Sequence, residues 1–255
     1  METLGDDLVL LAIRPNGVIA AAARLRYGLS GSELVRLAAL RRVTIERGRI
    51  VVLDAAPTGD ALLDEALASM DGQPKAKEWV AHDRDELVRR YLERLAAPGT
   101  IQLERRKALG FIPVDGWTIL DHGRLAAVRA RLDAVALGTG AVGLPEVALA
   151  GLVAAVGLPA VIYPGFGGAG ARRRIARLAR GRSVPGLTQA AGALADGYPD
   201  AATLAAADAA VRAATDASVQ ASIDAATQAA ILATSDAASS VHHAAGGGGH
   251  VGGHH

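Results

Sequence analysis

Four carboxylates crowd into the stretch Leu53–Leu67, LDAAPTGDALLDEAL: Asp54, Asp60, Asp64 and Glu65. Asp60 and Asp64 fall one helical turn apart, a spacing at which two carboxylates can share a cation or divide acid and base duties. No histidine and no second carboxylate motif completes such a set. The same residues have a structural use, which is the preferred reading. Pro57 and Gly59 shape a turn, and Thr58 or Asp60 caps the helix that follows.

The opposite charge gathers further along the chain. Arg172, Arg173, Arg174, Arg177, Arg180 and Arg182 put six guanidinium groups into eleven residues. At helical spacing Arg173, Arg177 and Arg180 cluster opposite Ala171, Ile175, Leu178 and Ala179. Such a face is either solvated and ion-paired or meets an anionic surface. Near acidic lipid it is worth about 1 kcal/mol per residue, and salt weakens it. Arg105, Arg106 and Lys107 form a second basic group at the expected tip of a hairpin, with Leu109 and Phe111 beside it and Pro113 following, a combination suited to shallow contact with a membrane interface.

Other chemistry is poorly represented. Gly138–Gly143 and Gly165–Gly170 resemble a dinucleotide fingerprint, but neither belongs to a βαβ unit with an acidic residue about 20 positions on. They read as connections between helices. There is no G-x-S-x-G, no Walker A lysine, no H-E-x-x-H and no cysteine, so the chain is not expected to be an enzyme and no cofactor or metal is expected. His242, His243, His250, His254 and His255 sit in a glycine-rich tail that would chelate only loosely.

The elements that must position these groups are mostly helical. Hydrophobic residues make up 51% of 255 residues and aromatics only 3%, so the core is built of Leu, Val, Ile and Ala. The 24 arginines against 3 lysines match a GC-rich, bacterial genome. A net charge of +1 hides a basic body of about +6 before residue 183 and an arm of −5 beyond it. DLVLLAI reads as a strand or short helix ending at Pro15-Asn16-Gly17. A helical stretch over Val18–Tyr27 is interrupted at Gly28-Leu29-Ser30-Gly31, and Ser30 or Ser32 caps ELVRLAALRR. VTIE and IVVLD flank Arg47-Gly48-Arg49 as a hairpin. In DELVRRYLERLAA one face carries Leu87, Val88, Tyr91, Leu92 and Leu95, with Arg89, Arg90 and Arg94 on the other side. A second hairpin, TIQLE to ALGFIPV, follows, with Leu103, Leu109, Phe111, Ile112 and Trp117 as core or interface. Beyond Asp121 everything reads helical, ending in an Ala-rich segment striped by Leu204, Val211, Val219, Ile223 and Ile231. The uncharged run Val147–Gly170 is broken by Pro159 and Pro164 and reads as buried helix, not a membrane span.

These residues resemble the Golgi phosphoprotein 3 family. LDAAPTGDALLDEAL is similar to its Asp-x-Pro-Thr-Gly-Asp run and Leu-Asp-Glu-Ala-Leu helix, and DLVLLAI, LSGSELVRLAALRRVTI, TIQLERRKALGFIPVDGW, LPEVALAGLVAAVG and ARRRIARLAR follow in the family's order. The resemblance covers roughly residues 5–215. It implies a mainly α fold, one helical domain with inserted β-hairpins over 1–215, with 216–255 an Ala-rich extension and flexible tail. Asp54, Pro57, Thr58, Gly59, Asp60, Leu63, Asp64 and Glu65 are then its structural signature. It also implies a peripheral membrane protein that binds phosphatidylinositol 4-phosphate. By ungapped placement the family's head-group Trp and Arg fall on Ala21 and Ser30, and its arginine pair falls near Asp85 and Val88. Arg24, Arg26 and Tyr27 are the candidate replacements, with Arg84, Arg89 and Arg90 as neighbours of the lost pair.

The expectation is therefore a non-enzymatic protein of the cytoplasm and the inner membrane face, whose partners are anionic lipids, a phosphoinositide among them, and copies of itself. Its anion-binding residues would be Arg24, Arg26, Tyr27, Arg84, Arg89, Arg90, Arg173, Arg177 and Arg180. Two alternatives stand beside it. Helix followed by hairpin occurs twice with basic turns, as in a winged-helix nucleic-acid binder, and the Ala-rich arm would also suit a lipid-independent scaffold.

Overall fold

The opening segment is helical, and nothing of it faces water. Helix α1 spans Leu4–Ala12 and each of its residues is buried, Asp6 and Asp7 included. A computed structural model describes residues 4–82, 86–108, 112–140, 142–179 and 201–244. In it α1 is the central rod, and α2 (Ala22–Ala39), α5 (Leu87–Ala96), α6 (His122–Leu137) and α7 (Leu144–Ala155) pack around it. An element buried on every side must be apolar all round, which DLVLLAI satisfies except for its two acids. Gly5 serves the same packing: a Cβ there would come within 2.3 Å of the Tyr91 ring of α5.

Helix α2 corrects the expectation of a break at Gly28–Gly31. It is one continuous helix that enters from Ala21, whose φ is 53°, in the left-handed region. The glycines mark close approach instead. A Cβ at Gly28 would lie 2.5 Å from Val156 and 2.7 Å from Leu8, and one at Gly31 would lie 2.7 Å from the Ala214 methyl. Ser30 and Ser32 are buried, not capping, and the Ser32 hydroxyl donates to the Leu29 carbonyl at 2.7 Å.

The first hairpin forms as the pattern requires. Strands β1 (Val43–Glu46) and β2 (Arg49–Val52) pair antiparallel, Glu46 facing Arg49. Arg47 and Gly48, at φ 50° and 77°, both adopt the left-handed conformation that a tight two-residue turn needs. After α3 (Ala61–Ala68) and the short α4 (Ala76–Ala81), α5 buries Leu87, Tyr91, Leu92 and Leu95. The second hairpin pairs β3 (Ile101–Ala108) with β4 (Ile112–Ile119). Its register places Arg105 opposite Asp115 and Lys107 opposite Pro113. The basic trio thus lies along the strand and not at the tip, because pairing continues to Ala108 and Ile112. At the base of the hairpin the Trp117 amide donates to the Gly17 carbonyl at 2.8 Å, tying it to the Pro15–Gly17 turn. Leu103, expected in the core or at an interface, is 49% exposed and so is not part of the core.

The uncharged run resolves into α7, the four-residue α8 (Pro159–Ile162) and a glycine-rich turn leading into α9 (Ala169–Ala179). Helix α9 packs on α6 and α7 through Ala171 and Ile175. Among the described residues no helix is long and apolar enough to cross a membrane.

Helix α10 covers Ala201–Ala244. The chain divides into two compact units, Met1–Ser218 and Val219–His255. Within the first, the buried face of α10 is Ala206, Ala207, Ala210, Ala213, Ala214 and Ala217, not the expected aliphatic stripe. Small side chains win there because Gly31 of α2 admits the helix at close range, a Cβ there coming 2.7 Å from the Ala214 methyl. Of the expected stripe, Val211 reaches Gly151 of α7, where a Cβ would come 2.6 Å from it. In the second unit Val219 and Ile223 are exposed. Leu204 and Ile231 have side chains outside the described residues, as do the tail histidines.

Candidate functional site

The signature between β2 and α3 is a chain of local hydrogen bonds. Asp54 pairs with Arg42 and accepts the Ala56 amide at 2.9 Å, so the strand ends in an Asx turn. Gly59 takes a φ of 86°, and the Thr58 amide and hydroxyl both donate to Asp64 Oδ1 at 2.6 Å. Those bonds hold the Asp64 carboxyl below its usual range. Asp60 Oδ1 accepts the Leu62 amide at 3.0 Å and caps α3. Leu63 is buried beneath the turn, and Glu65 pairs with Arg90. Each of the four carboxylates is therefore committed to a different partner, and among the described residues no cluster fit to hold a metal forms.

The second oxygen of Asp60 opens a larger network. Oδ2 accepts Arg36 of α2 at 2.7 Å and Arg94 of α5 at 3.2 Å. Arg94 continues to Asp6 of α1 at 2.6 Å, and Arg124 of α6 reaches the other Asp6 oxygen at 3.4 Å. Asp7 accepts Arg131 of α6 at 2.6 Å. Four helices and the α3 cap are thereby joined by charge-assisted bonds. Burial pushes the Asp6 carboxyl up, outweighing the pull of Arg94 and Arg124. At Asp60 burial also pushes upward, but hydrogen bonding and charge from Arg36, with the charge of Arg94, bring the carboxyl below its usual range. The Arg94 guanidinium also lies over the Tyr91 ring, 4.4 Å from its centroid.

Sequence reasoning missed this network and placed Arg94 on the solvent side. At 100° per residue Arg94 lies only about 60° from Tyr91, close enough to turn inward. The two acids in an otherwise apolar α1 were the available signal, since buried carboxylates need cationic partners.

The predicted anion-binding residues fall into separate settings. Tyr27 is buried, its ring under the Arg26 guanidinium and its hydroxyl accepting from Arg26 at 2.9 Å. Arg24 lies over Gly157, where a Cβ would meet its guanidinium at 2.7 Å. On α5, Arg89 is paired with Glu86 and Glu93, and Arg90 with Glu65. Along α2 about 15 Å separates Arg26 from Arg36, so the first pair is remote from the Asp60 network. Arg84, Arg180, Arg182, Asp85, Leu109 and Phe111 lie outside the described residues, as do the side chains of Arg106 and Lys107.

Helix α9 sorts its arginines by face. Arg172 points back, donating to the carbonyls of Tyr163 and Gly165. Arg174 lies over Gly138 at the C-terminal end of α6, where a cation is favoured. Arg173 and Arg177, one turn apart, are exposed. No carboxylate occurs anywhere between Glu146 and Asp196, and among the described residues no ion pair involves α9.

Helix α2 cannot enter a nucleic-acid groove, because residues 27–38 are buried throughout. The Gly165–Gly170 loop follows a helix and not a strand, so no dinucleotide crevice forms around it.

No curated protein matches the chain. The family model for Golgi phosphoprotein 3 (GPP34) matches residues 4–217, from the first turn of α1 to the alanine face of α10, and the chain belongs to that family.

Proposed function

We propose that this chain is a non-enzymatic, peripheral membrane protein that binds anionic lipid headgroups through the outer face of α9. One observation carries the reading: Arg173 and Arg177 face solvent and, among the described residues, enter no ion pair, whereas Arg89 and Arg90 are spent on ion pairs. Arginine forks onto phosphate oxygens, and two such groups one turn apart match a surface of headgroups better than a single enclosed ligand. Phosphatidylinositol 4-phosphate enters through family membership. The residues taken here as replacements for its pocket do not favour it over other anionic lipids, because Tyr27 is already covered by Arg26. The buried α2 weighs against the nucleic-acid alternative.

Liposome flotation tests the reading. Vesicles of phosphatidylcholine alone, with phosphatidylserine, or with phosphatidylinositol 4-phosphate are compared at low salt and at about 0.15 M. Binding to both anionic mixtures, weakened by salt, is the expected result. Selective retention on the phosphoinositide would establish a dedicated pocket. Binding to none of the vesicles would refute the proposal and leave a protein scaffold.

A further inference from the structure

We infer that the turn before α9 is the point at which the protein enters the lipid interface, with Phe166 as the inserted side chain. The inference rests on the anionic-lipid reading above and adds where, and by what contact, the chain crosses the headgroup layer.

Phe166 is one of only two phenylalanines in 255 residues, and it is 100% exposed. A lone exposed aliphatic side chain is ordinary, but a wholly exposed aromatic on a braced turn is not. The bracing is explicit. Arg172 donates to the carbonyls of Tyr163 and Gly165, closing the turn from within. Gly168 lies so close to the Tyr163 carbonyl that a Cβ would approach it to 2.3 Å, so the turn is seated against the body. The Ala169 amide donates to the Phe166 carbonyl at 3.1 Å, and the Arg172 amide to the Gly168 carbonyl at 3.0 Å. Neither Gly167 nor Gly168 has a positive φ, so the turn winds with the same hand as α9.

That continuity sets direction. Carried back at 100° per residue, position 166 lies on the stripe of Gly170, Arg173 and Arg177, at spacings of four, seven and eleven residues. An apolar ring and two exposed guanidiniums then share one side, with glycines at 165, 167, 168 and 170 adding no bulk between them. Aromatic rings sit at headgroup depth while arginines engage phosphates just outside it, which is the arrangement of an interfacial anchor. A soluble protein would need a pocket shaped for the ring beside an acidic patch, whereas a lipid interface takes the ring and the arginines together without one.

The absence of cysteine makes the test direct. Gly167→Cys has open space around it and a permitted φ, and carries an environment-sensitive fluorophore beside an intact Phe166. Lys77→Cys, at an exposed position of α4, is the control site. With phosphatidylserine vesicles that float the protein, the 167 probe should shift to the blue and the 77 probe should not. Phe166→Ala should weaken partitioning about tenfold, the loss of one buried apolar ring, with an unchanged melting temperature. Flotation with a silent 167 probe, or with Phe166→Ala floating as well as the parent, overturns the anchor while the anionic-lipid reading stands. No flotation of the parent overturns both. A shift that grows with protein concentration in the absence of vesicles also overturns it, assigning Phe166 to contact with a second copy of the chain.

Discussion

Arginine does opposite work around α1 and on α9. Around α1, Arg36, Arg94, Arg124 and Arg131 each face Asp6, Asp7 or Asp60, and the pairs are largely withdrawn from water. On α9, Arg173 and Arg177 have solvent in front of them and no carboxylate within the surrounding stretch of chain. A buried guanidinium without its partner is a severe defect, whereas an exposed one costs the fold almost nothing and remains available to a ligand. Stability and recognition are thus carried by the same residue type in different surroundings.

The sharpest way to break the comparison is at Asp60. Asp60→Ala removes the α3 cap and leaves Arg36, whose side chain is 7% exposed, without its carboxylate. A loss of about 3–5 kcal/mol is expected in urea unfolding. Asp60→Asn, which keeps an acceptor for the cap, should lose less. A loss under about 1 kcal/mol for the alanine variant would show that the network is ornamental.

Next in size is the contrasting substitution on α9. Arg173→Ala with Arg177→Ala should leave urea unfolding within about 0.5 kcal/mol of the parent. The same variant should weaken binding to phosphatidylserine vesicles by about 2 kcal/mol, roughly thirtyfold, at low salt. Equal damage to stability and binding would erase the distinction between the two arginine populations.

The acid limb of stability gives a finer test. Asp60 is held below its usual range in the folded protein, so its contribution is full above about pH 4 and disappears as pH falls through the lower folded value. Asp6 is held above its usual range, so its burial penalty is relieved as pH falls from its raised folded value towards about 4. Urea midpoints measured against pH should therefore show a flatter acid loss in Asp60→Asn. Asp6→Asn should lack the partial gain on the approach to pH 4. Smallest of all, Asp54→Ala breaks an exposed pair with Arg42, and less than about 1 kcal/mol is expected.

Much of this was legible in the chain, and the limits have physical causes. The mainly helical architecture, both hairpins, the capping turn at Asp60 and the family itself follow from local pattern. What escaped depends on distant contacts. Gly28 and Gly31 look like a break because glycine disfavours helix, and only the nearness of Leu8, Val156 and Ala214 reveals them as sites of close packing. Arg94 looks solvent-facing until Asp6, 88 residues away, is placed beside it. The basic trio of the second hairpin seemed to mark a tip because charge suggests a turn, but strand pairing carried it further. Phe166 was hidden in a glycine pattern read only as a connection between helices.

The alanine face of α10 has a consequence for the order in which the fold comes apart. A methyl group buries little area, about 0.8 kcal/mol each, so six of them secure residues 206–217 far less firmly than the leucines of α1 secure the centre. Backbone amides on that stretch should exchange with solvent deuterium through a local opening, at a free energy well below that of global unfolding. The amides of α1, enclosed on all sides, should exchange only when the whole unit unfolds. The last helix of the family domain is then the first to let go, and the glycines that receive it double as the seam along which it does so.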